Sequence, residues 1–301
     1  MKAHDSVRDR RRRECRGDGP CVGRHSRGAV SLTCALLLLL LLSSCSTPAT
    51  PEHIAIISVE TGMDRAQART QAAQRFYAEY GGQYDYLMMW WNGDPRLDAA
   101  TYLPVANDVL GLGYDNPGGP ETFDKSAEFG GAELAGIVWM PSNWTDPEVP
   151  SDVFLPILAE ETAHRWGVTV FYQPTLGEPS SRFFSDWDLH LMGLLPAADV
   201  KPMTLLVNVI DEEVARNAPP EALEADVETI TIEQVVSAEG PRIPNASASA
   251  KTFKQAFLYV VPEGDVAEAA ELERLDELRL RWEGYFTTTT RGFGSVTTAL
   301  D

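Results

Sequence analysis

Glu160, Glu161 and His164 carry the spacing in this chain best suited to chemistry. They sit in Leu155-Pro-Ile-Leu-Ala-Glu160-Glu161-Thr-Ala-His164-Arg-Trp166-Gly167. Pro156 near the start and Gly167 past the end mark this stretch as a short helix. Residues three and four apart share a helix face, so both carboxylates stand on the side of the imidazole. Carboxylate oxygens and a neutral imidazole nitrogen both bind zinc. A carboxylate beside a zinc-bound water can take its proton, because the metal lowers that water's pKa towards about 7. Glu161 and His164 also have the Glu-x-x-His spacing of di-iron carboxylate bundles. That fold needs a second such motif and four long helices, and the sequence has neither. Without a metal, the same residues are a solvated face or a local ion pair.

Strands and helices must hold that face in place. Ile54–Val59 is β-branched and reads as a buried strand. Asp64–Tyr80 reads as a helix with Ala66, Ala73, Phe76, Tyr77 and Tyr80 on one stripe, closed by Gly81-Gly82. Tyr84–Trp91 and Leu134–Met140 read as further strands. Between them residues 94–133, rich in Gly, Pro, Asp and Asn, read as one long loop. Val168–Tyr172 suits a strand or a continued helix, residues 173–185 a loop, and Asp186–Gly193 a short helix. Met203–Val209 and Val227–Ile230 are strand candidates, with a short helix over Ile232–Ala238 capped by Thr231. Phe253–Val261 reads as a strand. A long helix is expected from Asp265, with Glu268 in capping-box spacing and Leu275, Leu278, Trp282 and Phe286 as its apolar stripe. The Thr287–Thr290 tract and a Gly-containing tail follow it.

The front of the chain reads as an export signal. Arg and Lys residues crowd the first 27 positions, and Ala29–Leu42 is a largely apolar run of 14 residues, the length of a signal core rather than of a spanning helix. It ends in Leu42-Ser-Ser-Cys45, which resembles the bacterial lipobox, with Cys45 lipidated as the first mature residue. Residues 1–44 are then the signal peptide, 45–52 a tether and 53–301 the folded domain. Ser46, where Asp would favour retention at the inner membrane, points to the outer membrane of a bacterial envelope. The cysteines are Cys15, Cys21, Cys34 and Cys45, so the mature chain has no disulfide pair and no Cys metal ligand. Removing the leader's nine basic and four acidic residues from 25 and 44 leaves 16 and 40, a charge near −24. Such a surface does not suit nucleic acid or anionic lipid as an electrostatic partner.

Several segments together resemble a family of bacterial zincin-like peptidases that are secreted or lipid-anchored. Its members carry His-Glu-x-x-His-x-Trp and, later, Asp-Leu-Tyr-Leu-Met-Gly-Leu. Here the two segments read Glu160-Glu-Thr-Ala-His-Arg-Trp166 and Asp188-Leu-His-Leu-Met-Gly-Leu194. Tyr84-Asp-Tyr-Leu-Met88, Pro104-Val-Ala-Asn-Asp-Val-Leu-Gly-Leu-Gly113 and Glu239-Gly-Pro-Arg-Ile-Pro244 are also similar, so the likeness spans about residues 54–262. It implies an α+β, zincin-like single domain with a mixed sheet and a central motif helix. It also implies zinc, with Glu161 as the base that activates water against a peptide or protein substrate. His164 is then a ligand, Glu160 stands where the first ligand His belongs, and Asp188 is the candidate third ligand. Met192 would lie under the site. Asp188 as a helix cap and Met192 as core is the other reading of that segment. His190 stands where the family has Tyr, and could replace the missing imidazole. An anionic Glu160 in place of a neutral His makes the metal a weaker Lewis acid, so hydrolysis is expected to be weakened or lost. The alternative is a non-catalytic binding or structural lipoprotein on the same scaffold.

Overall fold

The computed structural model of the protein describes residues 51–92, 99–112, 121–146, 148–168, 183–208 and 225–300. Ten strands are seen there: β1 (Ile54–Val59), β2 (Tyr86–Trp91), β3 (Thr101–Pro104), β4 (Ala106–Asn107), β5 (Phe123–Asp124), β6 (Gly136–Trp139), β7 (Met203–Val207), β8 (Asp226–Ile230), β9 (Thr252–Pro262) and β10 (Ser295–Thr297). The α-helices are α1 (Arg65–Tyr80), α2 (Phe154–Ala163), α3 (Asp186–Leu191), α4 (Ile232–Glu239) and α5 (Ala269–Thr289). The main sheet has the order β1-β9-β2-β6-β3, and β10 pairs with β9 beyond the start of β1. β1, β9, β2 and β6 run parallel, and β3 closes the edge antiparallel to β6. The chain is thus mixed α and β with a mixed sheet.

Helices cover both faces of this sheet, which is why its strands read as continuous apolar runs rather than as alternating ones. On one face Ala55, Ile57, Leu87, Met89, Ile137 and Leu258 pack with Ala68, Ala72 and Phe76 of α1. On the other, Tyr86, Met88, Trp90, Val138 and Phe257 pack with Leu155 and Leu158 of α2 and with Leu275, Leu278, Trp282 and Phe286 of α5. The stripe of α1 differs from expectation in its first half. Ala68 and Ala72 are buried and Ala66 is exposed, because the face that meets the sheet runs back from Phe76 in steps of four. Asp64 caps this helix in a reciprocal bond with Gln67.

Three boundaries also differ. Residues 94–133 are not one loop, since β3, β4, β5 and a 3-10 turn at Ser126–Phe129 fall within them. β3 is only four residues long and takes its structure from pairing with β6, a partner its own pattern does not reveal. The motif helix begins at Phe154, two residues before Pro156, whose missing N–H falls among the first four that no helix satisfies. α5 begins at Ala269, not Asp265, because β9 runs to Pro262 and Asp265 N–H closes a turn on the Pro262 carbonyl. The helix then continues through the threonine tract to Thr289, where the Thr287 and Thr288 hydroxyls donate to carbonyls one turn back. The leader, Cys45, residues 169–182 and residues 209–224 lie outside the described residues. No helix among the described residues is long and apolar enough to cross a membrane.

Candidate functional site

α2 returns from the carboxyl end of β6 and delivers the motif to the amino-terminal edge of the parallel strands. Trp166 anchors it there, buried with its ring 6.5 Å from Tyr86 and 5.1 Å from Phe253. The Tyr86 hydroxyl donates to the Thr162 carbonyl at 3.2 Å. Past Ala163 the helix tightens into a 3-10 turn over His164–Trp166, and Gly167 stops it with φ +74°. That turn places the Val168 carbonyl 2.7 Å from His164 Nδ1. A carbonyl only accepts, so Nδ1 carries a proton there and Nε2 is the nitrogen turned to Glu161. Nε2 is 3.9 Å from Glu161 Oε2.

Glu161 Oε2 is buried and finds no hydrogen-bond partner in the protein. Burial, and then the charge of Glu160, push this carboxyl up to about 7. Near neutral pH it can therefore give a proton or take one. Glu160 itself is half-buried. Tyr102 of β3 closes the side of the site, its ring 6.4 Å from that of His164 and its hydroxyl donating to the Ala135 carbonyl at 3.2 Å. Gly136 makes room for it, since a Cβ there would lie 2.2 Å from the Tyr102 ring.

Arg165 ties the motif to the loops around it. Its guanidinium meets Asp108 at 3.0 Å and Asp85 at 3.6 Å, and lies 5.9 Å over the Tyr86 ring and 5.4 Å from the Trp166 ring. Asp85 in turn accepts from the Lys254 backbone. Leu110 and Ile243 exchange backbone hydrogen bonds, which brings Arg242 near. Arg242 donates to the carbonyls of Leu191 and Pro244 and to the Ser249 hydroxyl. Lys251 donates to the carbonyls of Gly193 and Leu194. The segments 104–112, 160–166, 188–194 and 239–244 therefore meet in one place. Their meeting is held by Asp85, Asp108, Arg165, Arg242 and Lys251, none of which the spacing of the motif singles out. All but Lys251 do lie within segments that carry the family resemblance.

The turn after α3 serves this junction. Asp188 is the third helical residue of α3. Its Oδ2 accepts from Ser185 N–H while the Ser185 hydroxyl accepts from Asp188 N–H, a reciprocal cap. Burial raises the Asp188 carboxyl, and the Ser185 bonds and Arg291 hold part of that back. His190 is buried with Nδ1 3.1 Å from the Leu195 carbonyl, and burial lowers its proton affinity. Met192 is core. Gly193 has φ +74°, and a Cβ on it would fall 2.6 Å from the Arg242 guanidinium.

Among the described residues no three His, Cys, Asp or Glu side chains are grouped as a metal site. His164, Glu160 and Asp188, the three expected ligands, are therefore not brought together as one site, and no reaction step follows through a metal. No family model, curated protein or solved structure matches the chain.

Proposed function

We propose that the chain is a bacterial envelope lipoprotein on a zincin-like, metallopeptidase-related scaffold, with peptide hydrolysis weakened or lost. The supporting observation is the pair of Glu161 and His164. A buried carboxyl oxygen without a hydrogen-bond partner faces imidazole Nε2, while Nδ1 is committed to Val168. This is the arrangement a base beside a ligand requires. Glu160 in place of a second imidazole is the reason for weakened chemistry. In this reading zinc binding draws on His164 and Glu160, with Asp188 released from its cap on Ser185 as third ligand, Glu161 is the base, and the substrate is a peptide or protein. Attachment is through lipid on Cys45, at the outer membrane, and nucleic acid is no partner of so acidic a chain.

The test is zinc content. Residues 46–301 are loaded with zinc and the stoichiometry measured, then a casein-type substrate is offered. The expected result is zinc that His164→Ala removes, with casein cleavage low or absent. Rapid cleavage that Glu161→Gln abolishes would show an intact enzyme and overturn the weakened reading. Zinc below about a tenth of an equivalent would remove the metal altogether. It would leave the second reading, a non-catalytic binding lipoprotein, which the capping bonds of Asp188 favour. Cys45→Ser tests the anchor, since the protein should then leave the membrane fraction.

A further inference from the structure

β7 and β8 form a two-stranded ribbon of their own. Met203 stands opposite Ile230, Leu205 opposite Glu228 and Val207 opposite Asp226, antiparallel. Among the described residues neither strand pairs with any other. Two strands alone are marginally stable in water, and each outer edge presents a row of free N–H and C=O groups. Leu205 and Val227 point to opposite faces of the ribbon and are 40% and 65% exposed, so neither face is covered.

The two strands differ as edges. β8 reads Asp226-Val-Glu-Thr-Ile230, and charges of this kind keep an added strand away. β7 reads Met203-Thr-Leu-Leu-Val207, without charge, Pro or Gly, and its register with β8 is unbroken. None of the usual devices protects it from a third strand. The ribbon also rises from the junction around Arg165. Trp187 Nε1 of α3 donates to the carbonyl of Lys201, two residues before β7, at 3.0 Å. β8 is followed at Thr231 by α4, which ends at Gly240, two residues before Arg242.

We infer that β7 takes an extended stretch of polypeptide, uncharged or basic in sequence, as a third strand of the ribbon, and that this stretch belongs to the substrate. That it is substrate rests on the peptidase-related reading of the site. Backbone hydrogen bonds hold the added strand, and its alternate side chains meet Met203, Leu205 and Val207 on one face and Thr204 and Leu206 on the other. Asp226 and Glu228 lie on the first of these faces, so Lys or Arg there is attracted and Asp or Glu repelled. A second copy of the chain is the poorer occupant. The edge is a strip about 17 Å long and about 5 Å wide, far short of the roughly 800 Å² per partner that a stable dimer buries. Two copies would also bring together chains of net charge −19 each.

The probe is an end-blocked peptide of alternating valine and threonine with a lysine at each end, added to the purified full-length protein. Hydrogen exchange is the readout. At about ten times its Kd the peptide should slow exchange of the β7 amides that face away from β8 about tenfold, and leave those of β3 unchanged. Leu205→Glu, at an exposed position, should weaken binding about tenfold. Glu228→Gln should narrow the preference for lysine ends over glutamate ends. No binding, or protection of β3 in place of β7, overturns the inference. So does equal binding by the same peptide methylated on alternate backbone nitrogens, since that peptide cannot complete a ladder. Protection of β7 that grows with protein concentration in the absence of peptide gives the edge to a second copy, and also overturns it. Protection of β7 by the peptide in a protein that binds no zinc keeps the third strand and removes its reading as substrate. Casein cleavage with β7 unprotected keeps the peptidase reading and removes the third strand.

Discussion

Glu161 Oε2 and His164 Nε2 face each other across 3.9 Å, with the far nitrogen of the imidazole fixed on the Val168 carbonyl. The gap is too wide for a direct hydrogen bond. Each atom is left with capacity the protein does not use. A buried carboxyl kept in this state works against folding. Its pKa of about 7 exceeds the value of about 4.5 for an ordinary Glu, so the native state holds its proton more tightly than the unfolded chain. The associated stability is fully present below about pH 4.5 and is lost as pH rises through about 7, up to about 3 kcal/mol. Glu161→Gln should therefore unfold like the parent at pH 4.5 and be more stable at pH 8. Denaturant midpoints at the two values measure it, and a variant no more stable at pH 8 refutes the buried, uncompensated carboxyl.

Asp188 can be separated into cap and ligand. Asp188→Ala removes the acceptor for Ser185 N–H and should cost about 1 kcal/mol. Asp188→Asn keeps an oxygen there and should unfold close to the parent. If Asp188→Asn nonetheless lowers zinc stoichiometry, the carboxylate is a ligand as well as a cap.

Arg165→Ala should be among the more damaging changes near the site. It strips a guanidinium with only 12% side-chain exposure from Asp85, whose carboxyl burial already raises. Losing one partner of a fully buried pair costs about 3–5 kcal/mol, and the 67% exposure of Asp108 reduces this to about 2. Thermal unfolding reads it, and a change within experimental scatter would mean the loops do not depend on Arg165.

Gly136→Ala tests the wall of the site. A Cβ at 2.2 Å from the Tyr102 ring forces that ring away from His164 and breaks its bond to Ala135. Overpacking of this kind costs about 1–3 kcal/mol. Tyr102→Leu in the same background should recover part of the loss, and no recovery would place the clash elsewhere.

Much of the framework was legible because it obeys local rules. The buried strands at 54–59, 86–91, 136–139 and 252–262 were visible as β-branched and aromatic runs, and α5 as the stripe of Leu275, Leu278, Trp282 and Phe286. β3 was not visible, because four residues gain their structure from β6 through long-range pairing. The start of α5 was misread because Asp265 and Glu268 match a cap locally, while the turn out of β9 claims Asp265 and Glu268 itself takes the N-cap position.

The same division holds at the site. The sequence alone determined that Glu160, Glu161 and His164 share one helix face, since their spacing leaves no other arrangement once a helix forms. It also determined that no cysteine lies beyond Cys45 to serve as ligand. Tertiary structure decided what those side chains meet. Only folding could put Val168 on His164 Nδ1, bury Glu161 beside Glu160, and bring Asp108 and Arg242 to Arg165 from loops 57 residues before it and 77 after it. Those contacts depend on the order of strands in the sheet, and spacing along the chain carries no record of that order.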